Sequence, residues 1–329
     1  MKLDLIVPHY REPWSLCKYL FDSIAMQRGI NFDDLRVLVV NDGDECLPGL
    51  DFTLNYPYEI LWFVKEHAGV SAARNYGIRR SSADYVMFCD CDDGFLNNWG
   101  LHLVFKEMKD GFDLLVASFV EEVWLTVDKY LTLLNHENDP TFIHGKVYRR
   151  DFLLENNLFF DEDLVLHEDG YFNQLVYTEA MNHGRLKTIK SPIYIWKYND
   201  QSVVRRDKKH FVLRTYEDVM KARIRLCRQL KQRGFDRDFN TAVCVTVLDA
   251  FYDFQKPPYM DPANAEMIRK AEQAFKEFWN EFKGEFFECE NKFIAKVING
   301  VREKAFDDGF LYEKFSLQTW LKHIEFEVQ

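Results

Sequence analysis

A chain of 329 residues, 47% of them apolar, can build a large core and exceeds one average domain. Its 42 Lys and Arg stand against 53 Asp and Glu, a formal charge of −11, so wholesale wrapping of nucleic acid is excluded and no nucleic-acid partner is expected. Composition also excludes a fibre, a coiled-coil rod and a mostly disordered chain.

The seven cysteines are odd in number and scattered without a CxxC pair, a pattern of buried thiols in a reducing compartment rather than of a disulfide framework or zinc site. The opening MKLDLIVPHY is interrupted at Asp4, Pro8 and His9, which speaks against a signal-peptide core. No run approaches the ~18 apolar residues of a membrane span. The expected location is the cytoplasm, with peripheral contact at the inner face of the membrane left open.

Leu3 to Val7 is a short apolar run ended by Pro8 and reads as a strand. Trp14 to Met26 has helical spacing through Leu16, Leu20, Phe21 and Ile24. Strand-like runs follow at Leu35 to Val40, Ile60 to Val64, Tyr85 to Cys89 and Asp113 to Phe119, with a helix over Ala68 to Arg80 among them. Short buried-looking runs separated by helices predict an α/β fold on a mostly parallel central sheet. Polar clusters fall just after the carboxyl ends of these strands, where open α/β sheets place ligands. Farther on, Phe142 to Tyr148 reads as a strand running into a helix through Phe152 and Leu153. Glu168 to Tyr177 reads as a helix. Ile189 to Trp196 reads as a strand in which Pro192 predicts an edge position or a break.

After residue 206 the pattern turns helical, over 210–233, 239–254, 263–282, 289–305 and 315–323. The chain therefore divides into 1–206 and 207–329. Pro257-Pro258 should end one of these helices and Asp261-Pro262 should open the next. Phe275, Phe278, Phe282, Phe286 and Phe293 are spaced to form one apolar face, for a homo-oligomer contact or for packing back on the catalytic domain. Residues 205–237 carry twelve Lys and Arg against four acids. That is either a solvated helix face or a platform for a phosphate-bearing acceptor or anionic lipid.

The most informative stretch is Tyr85-Val-Met-Phe-Cys-Asp90-Cys-Asp92-Asp93-Gly94, a hydrophobic strand that runs into three carboxylates. On extended backbone Asp90 and Asp92 point to one side. Like charges this close call for a compensating cation, and hard oxygen ligands suit Mn²⁺ or Mg²⁺. An acidic loop in solvent is the plain alternative.

In its order of motifs the chain resembles the inverting nucleotide-sugar glycosyltransferases of the GT-A fold, family 2. The resemblance is carried by Ile6-Val7-Pro8-His9-Tyr10, Val39-Val40-Asn41-Asp42-Gly43 and Gly69-Val70-Ser71-Ala72-Ala73-Arg74-Asn75-Tyr76-Gly77. It continues in Asp90-Cys91-Asp92-Asp93, His144-Gly145-Lys146-Val147-Tyr148-Arg149-Arg150, Glu168-Asp169 and the region from Trp196 to Ser202 and Arg205. It covers about residues 1–206; the helical remainder matches no family pattern. Asn41 stands where the family usually has Asp, and Asp44 where it usually has Ser.

What the resemblance implies is a Rossmann-like GT-A catalytic domain, then a helical region for acceptor binding, membrane association or oligomerisation. It implies metal-dependent transfer of a sugar, with inversion, from a nucleotide-sugar donor, UDP-linked by preference. The acceptor would be a saccharide, polyol-phosphate or lipid-linked hydroxyl of cell-envelope polysaccharide synthesis. Tyr10 would lie beside the nucleobase, and Asn41 and Asp42 would meet base or ribose. Arg74 would reach base or diphosphate, while Pro8 and Gly43 shape their loops. Asp90 and Asp92 would hold the cation, Asp90 also touching ribose or bound water, and His167 is a weak further ligand. Asp93 would orient acceptor or cap the next segment. Asp169 would be the general base, with Glu168 holding it or binding acceptor. Trp196, Ser202 and Arg205 would close over the diphosphate, and Arg205 would face the leaving group. A nucleotidyltransferase or metal-assisted hydrolase also uses clustered aspartates, but Pro8 to Pro13 lacks the glycines of a phosphate loop. A non-catalytic binding module on the same fold is the third reading.

Overall fold

The computed structural model describes residues 1–43, 56–125, 130–202, 205, 210–288, 297–303 and 313–328. They form two compact units, Met1–Asn199 and Asp200–Gln329.

The first unit is built on one sheet. Its strands are β1 (Leu3–His9), β2 (Leu35–Asn41), β3 (Glu59–Val64), β4 (Tyr85–Phe88), β5 (Gly94–Phe95), β6 (Leu114–Leu125), β7 (Tyr130–His136), β8 (Lys146–Arg149) and β9 (Leu186–Trp196). The order is β3-β2-β1-β4-β8-β6-β9-β5, with β7 on β6. The β3-β2-β1-β4 part is parallel, as the runs of fully buried apolar residues in β1, β2 and β4 require. Beyond β4 the sheet is mixed: β8 runs antiparallel to both neighbours, β9 is parallel to β6, and β5 and β7 pair antiparallel. Pro192 lies inside β9 and not at an edge. The break expected from it is a register shift in which Ala117 pairs Ile189 but Phe119 pairs Tyr194.

The helices of this unit are α1 (Trp14–Ala25), α2 (Val70–Arg80), α3 (Gly100–Met108), α4 (Arg150–Glu155) and α5 (Glu168–His183). Leu20, Phe21 and Ile24 of α1 join Leu5, Val7, Val37 and Met87 of the sheet in one core. The chain leaves β1 for β2 on one side and returns to β4 on the other. This reversal opens a crevice at the carboxyl ends of β1, β2 and β4, so the sheet itself selects the place for a ligand. Sequence patterning missed β5, β7 and α3.

The second unit is helical: α6 (Tyr216–Gln232), α7 (Asp236–Asp253), α8 (Ala265–Glu288) and α9 (Leu317–Phe326), with single turns at Phe211–Arg214 and Pro257–Met260. Asp261 caps the turn Pro262–Asn264 through Ala263 N and leads into α8. The phenylalanine face of α8 is consumed inside this unit. Phe275, Phe278, Phe282 and Phe286 are buried, with Phe282 against Phe239 of α7 and Phe275 against Trp320 of α9. Phe293 lies outside the described residues. Part of the basic stretch is also spent internally: Arg228 makes two 2.7 Å bonds to Glu281, and Lys231 bonds Glu285 at 2.8 Å. Among the described residues no helix is long and apolar enough to cross a membrane. Cys17, Cys89, Cys91, Cys227 and Cys244 are buried thiols outside any disulfide; Cys46 and Cys289 fall outside the described residues.

Candidate active site

The acidic stretch is a turn, not a continued strand. β4 stops at Phe88, and Asp93 N donates to Asp90 O at 3.1 Å. The turn breaks the alternation that would align Asp90 with Asp92. Asp93 points inward and is 1% exposed, while Asp90 and Asp92 are half-buried. Asp93 Oδ1 accepts from Lys197 N at 2.9 Å and Oδ2 from the Tyr194 hydroxyl at 3.2 Å. Asp92 Oδ2 accepts from Asn199 Nδ2 at 2.9 Å, and Asp90 N donates to the Tyr194 hydroxyl at 3.1 Å. The end of β9 and the segment after it thus fasten all three aspartates. Trp196, the last residue of β9, is half-buried against Phe142 and His144.

The cation group that the geometry supports differs from the sequence expectation. Ligand atoms of Asp90, Asp93 and His144 all lie within 4.8 Å of one another, and Asp92 is not in the group. His144 is buried between Phe119, Tyr194 and Trp196, and its Nδ1 has no hydrogen-bond partner though it lies 3.5 Å from Asp93 Oδ2. Burial drives the His144 imidazole down to about 4, so it is neutral and its lone pair is free for a cation. Burial first, then the charges of Asp90 and Asp92, push the Asp93 carboxyl well above the usual range. Two carboxylates and an orphaned neutral imidazole fit Mn²⁺, and fit Mg²⁺ less well because of the nitrogen. Gly145 makes the position possible. Its φ is +69°, and a Cβ there would meet Ala117 O at 2.8 Å.

Arg74 joins the two acidic motifs. It sits on α2, 4% exposed, donating to Asp90 Oδ1 at 3.0 Å and to Glu168 Oε1 at 2.8 Å. The charges around it are unequal: burial and the neighbouring Asp169 charge raise Glu168 to about 7 against the pull of Arg74. Asp169 is also raised, by burial, against Arg74 and a 2.7 Å bond from Gly170 N. Both acids open α5, after His167 in the left-handed conformation with φ 62°. The neighbouring Asn75 binds Phe160 N and O at 2.9 Å and Glu162 at 2.8 Å, which fixes the loop before α5.

On the other side of the crevice, Asp42 organises its own loop. Its Oδ1 accepts from Lys65 Nζ at 2.6 Å and Ala68 N at 3.0 Å; its Oδ2 accepts from His67 Nδ1 and Gly69 N, each at 2.8 Å. Burial pushes its carboxyl up, but Lys65 and the two amides outweigh that and hold it below the usual range. Four donors on this 2% exposed carboxylate tie residues 65–69 to the end of β2. Asn41 is fully buried at the end of β2, opposite His9, and Pro8 pairs Val40. Gly43 has φ +90°, and a Cβ there would come within 2.8 Å of His67. Tyr10 stacks on His67 at 4.0 Å, with the Arg11 guanidinium 4.8 Å from its centroid. Arg205 belongs to the second unit, where its amide donates to Ser202 O at 3.1 Å.

The family model for Glycosyl transferase family 2 matches residues 4–176, more than half of the chain. The chain belongs to glycosyl transferase family 2. Similar to this family 2 member are the uncharacterized glycosyltransferase EpsJ of Bacillus subtilis, 27% identical over 61% of this chain and 62% of EpsJ. Glycosyltransferase GlyA of Streptococcus pneumoniae is 32% identical over 54% of this chain and 28% of GlyA. The match therefore spans less than two thirds of either relative. The crystal structure of Staphylococcus aureus TarS 1-349 in complex with UDP-GlcNAc superposes with TM-score 0.63 at 18% identity, covering 95% of this chain and 93% of that one. At that identity the likeness establishes the GT-A fold.

His144, Asp93, Tyr194 and Asn199 are the site residues that sequence reasoning did not assign to their observed positions. The His-Gly-Lys segment was visible as a motif, but the place of His144 depends on β8 lying between β4 and β6, which no local pattern encodes.

Proposed function

We propose that this protein transfers a sugar, with inversion, from a nucleotide-sugar donor to an acceptor hydroxyl. The observation that carries the reading is the Arg74 bridge, which brings the Asp90–Asp93 turn and the Glu168–Asp169 pair to the same crevice. A UDP-linked donor is favoured, with Tyr10 and His67 offering a stacked aromatic pair to the base and Asn41 a polar group beneath it. Asp90, Asp93 and His144 would hold a divalent cation, with Asp92 at the mouth. Bound there, the cation would neutralise charge on the departing diphosphate.

The chain's own residues supply the rest. Arg74 keeps Asp90 facing the crevice and lends positive charge beside it. Asp169 takes the proton from the acceptor hydroxyl as its oxygen attacks the anomeric carbon, and one displacement inverts that carbon. Burial raises its carboxyl above the ordinary carboxylate range, which strengthens it as a base. Glu168, held by Arg74, keeps Asp169 in place. Trp196 and the Lys197–Asn199 segment wall the site from water. The acceptor is a saccharide, polyol-phosphate or lipid-linked hydroxyl of cell-envelope polysaccharide, reached from the cytoplasm at the inner face of the membrane. TarS is named a poly(ribitol-phosphate) β-N-acetylglucosaminyltransferase, which supports an acceptor of this class.

The test is nucleotide release from UDP-, GDP- and dTDP-sugars with Mn²⁺, Mg²⁺ or EDTA and no acceptor. Release from one donor, dependent on metal and lost in Asp93→Asn and Asp169→Asn, is expected. No release together with no calorimetric binding of any nucleotide refutes the reading.

A further inference from the structure

The loop after β1 holds a backbone position that its residue type does not explain. Arg11 has φ 65°, in the left-handed region that residues other than glycine rarely enter and that is held chiefly where a site needs it. Its guanidinium carbon lies 4.8 Å from the centroid of the preceding Tyr10 ring. His67 stacks on the same ring at 4.0 Å and 11° and so fills one face; the guanidinium therefore covers the other. The two covers are not alike. His67 is tethered, with its Nδ1 2.8 Å from Asp42 Oδ2. Arg11 is exposed, and no carboxylate among the described residues pairs with it. Glu12, next in the chain, accepts instead from the Tyr10 amide at 2.7 Å and fixes the Tyr10 backbone. Arg11 also lies outside the motif Ile6–Tyr10 that carries the family resemblance.

We propose that the nucleobase of the donor enters between Tyr10 and Arg11, so that the guanidinium plane becomes the outer wall of the base site. A base stacks on an arginine plane as it does on an aromatic ring. Each stacked layer takes about 3.5 Å, so a base between the two sets the guanidinium about 7 Å from the Tyr10 ring and moves it outward by roughly 2 Å. An exposed side chain without an acid partner yields by that much. His67, held by Asp42, stays and supports Tyr10 from behind.

Position separates this role from a phosphate contact. The guanidinium sits on Tyr10, the residue assigned to the base, whereas the diphosphate belongs to the cation group of Asp90, Asp93 and His144. A guanidinium plane stacks on any base, so Arg11 strengthens donor binding without selecting uracil over guanine. The inference rests on the nucleotide-sugar reading proposed above.

The experiment measures binding of uridine and UDP, or of the nucleoside and diphosphate of whichever donor the release assay selects, to the full chain and to Arg11→Ala, Arg11→Lys and Arg11→Gly. Calorimetry follows the diphosphate, and an NMR titration follows the nucleoside. Arg11→Ala should weaken both ligands by the same factor, about five- to tenfold. Arg11→Lys should resemble Arg11→Ala, since it keeps the charge and loses the plane. In donor hydrolysis KM should rise with kcat held, because ribose and diphosphate separate the base from the anomeric carbon. The φ of 65° suits glycine, so Arg11→Gly should melt no lower than the parent and serves if Ala disturbs the loop. Weaker UDP with unchanged uridine, or full rescue by Lys, makes Arg11 a phosphate contact and overturns the proposal. Unchanged or tighter binding of both ligands makes it only a cover on Tyr10 and overturns it too. A parent that binds none of UDP, GDP and dTDP refutes the nucleotide-sugar reading and takes this inference with it, whereas a parent that binds and variants that match it refute the Arg11 wall alone.

Discussion

Glu168→Gln should make the first unit more stable at neutral pH while weakening transfer. Burial and the Asp169 charge raise Glu168 from 4.5 to about 7 even with Arg74 attached. A carboxyl whose folded pKa is raised binds its proton more tightly in the folded state. The stability it confers is therefore full below about 4.5 and is lost as pH rises through about 7. At 1.36 kcal/mol per unit, the loss across that window is on the order of 3 kcal/mol. Gln is close in shape to the protonated acid and can still accept from Arg74. Its advantage should be near zero at the acid end and grow to roughly 1–3 kcal/mol above neutrality. For a unit of this size that is a rise of about 2–10 °C in Tm. Scanning calorimetry of both proteins across the range reads it directly. A Tm difference independent of pH, or a variant less stable than the parent above neutrality, refutes the reasoning.

Arg74→Lys should lower donor turnover and Tm together, because one ammonium cannot span both Asp90 and Glu168 and leaves a buried carboxylate unpaired at a cost of about 3–5 kcal/mol; unchanged melting would argue against the bridge. Asp93→Asn should raise the Mn²⁺ dissociation constant by roughly tenfold to a hundredfold, measured by calorimetry, whereas Asp92→Asn should act less on the metal than on turnover. Asp42 has a lowered pKa, so its stabilisation is present above the ordinary carboxylate range and lost as pH falls through its folded value; Asp42→Asn should remove that acid-side loss of Tm. Arg228→Ala should cost about 0.2–1 kcal/mol by removing a surface pair with Glu281 and leave nucleotide release unchanged; a large fall in release would tie that pair to the active site.

The parallel half of the sheet was legible because β1, β2 and β4 are buried on both faces and read as unbroken apolar runs. The antiparallel half was not. β5 has only two residues, and in β7, YLTLLNH, Leu131, Leu133 and Leu134 are all exposed, so no buried face marks it as a strand. The acidic motif was legible as chemistry but not as geometry. Alternation on a strand pairs Asp90 with Asp92, and a single hydrogen bond from Asp93 N to Asp90 O replaces that strand by a turn. Asp42 was legible at its strand end, yet the four donors around it come from residues 65–69, 23 or more positions away. The apolar face of α8 was legible as a face. What covers it, Phe239 and Trp320, lies on helices whose packing the periodicity of α8 alone does not give.

The latch on the acidic turn has a consequence for how this chain can be divided. Tyr194, Lys197 and Asn199 hold Asp90, Asp93 and Asp92, and the helical unit begins at the very next residue, Asp200. A helical unit exchanged or removed by a junction after Asn199 leaves every one of those bonds in place. A junction three residues earlier takes the Lys197 amide and the Asn199 side chain with it, so the permissible seam between the two units is set by the carboxylates and not by the loop.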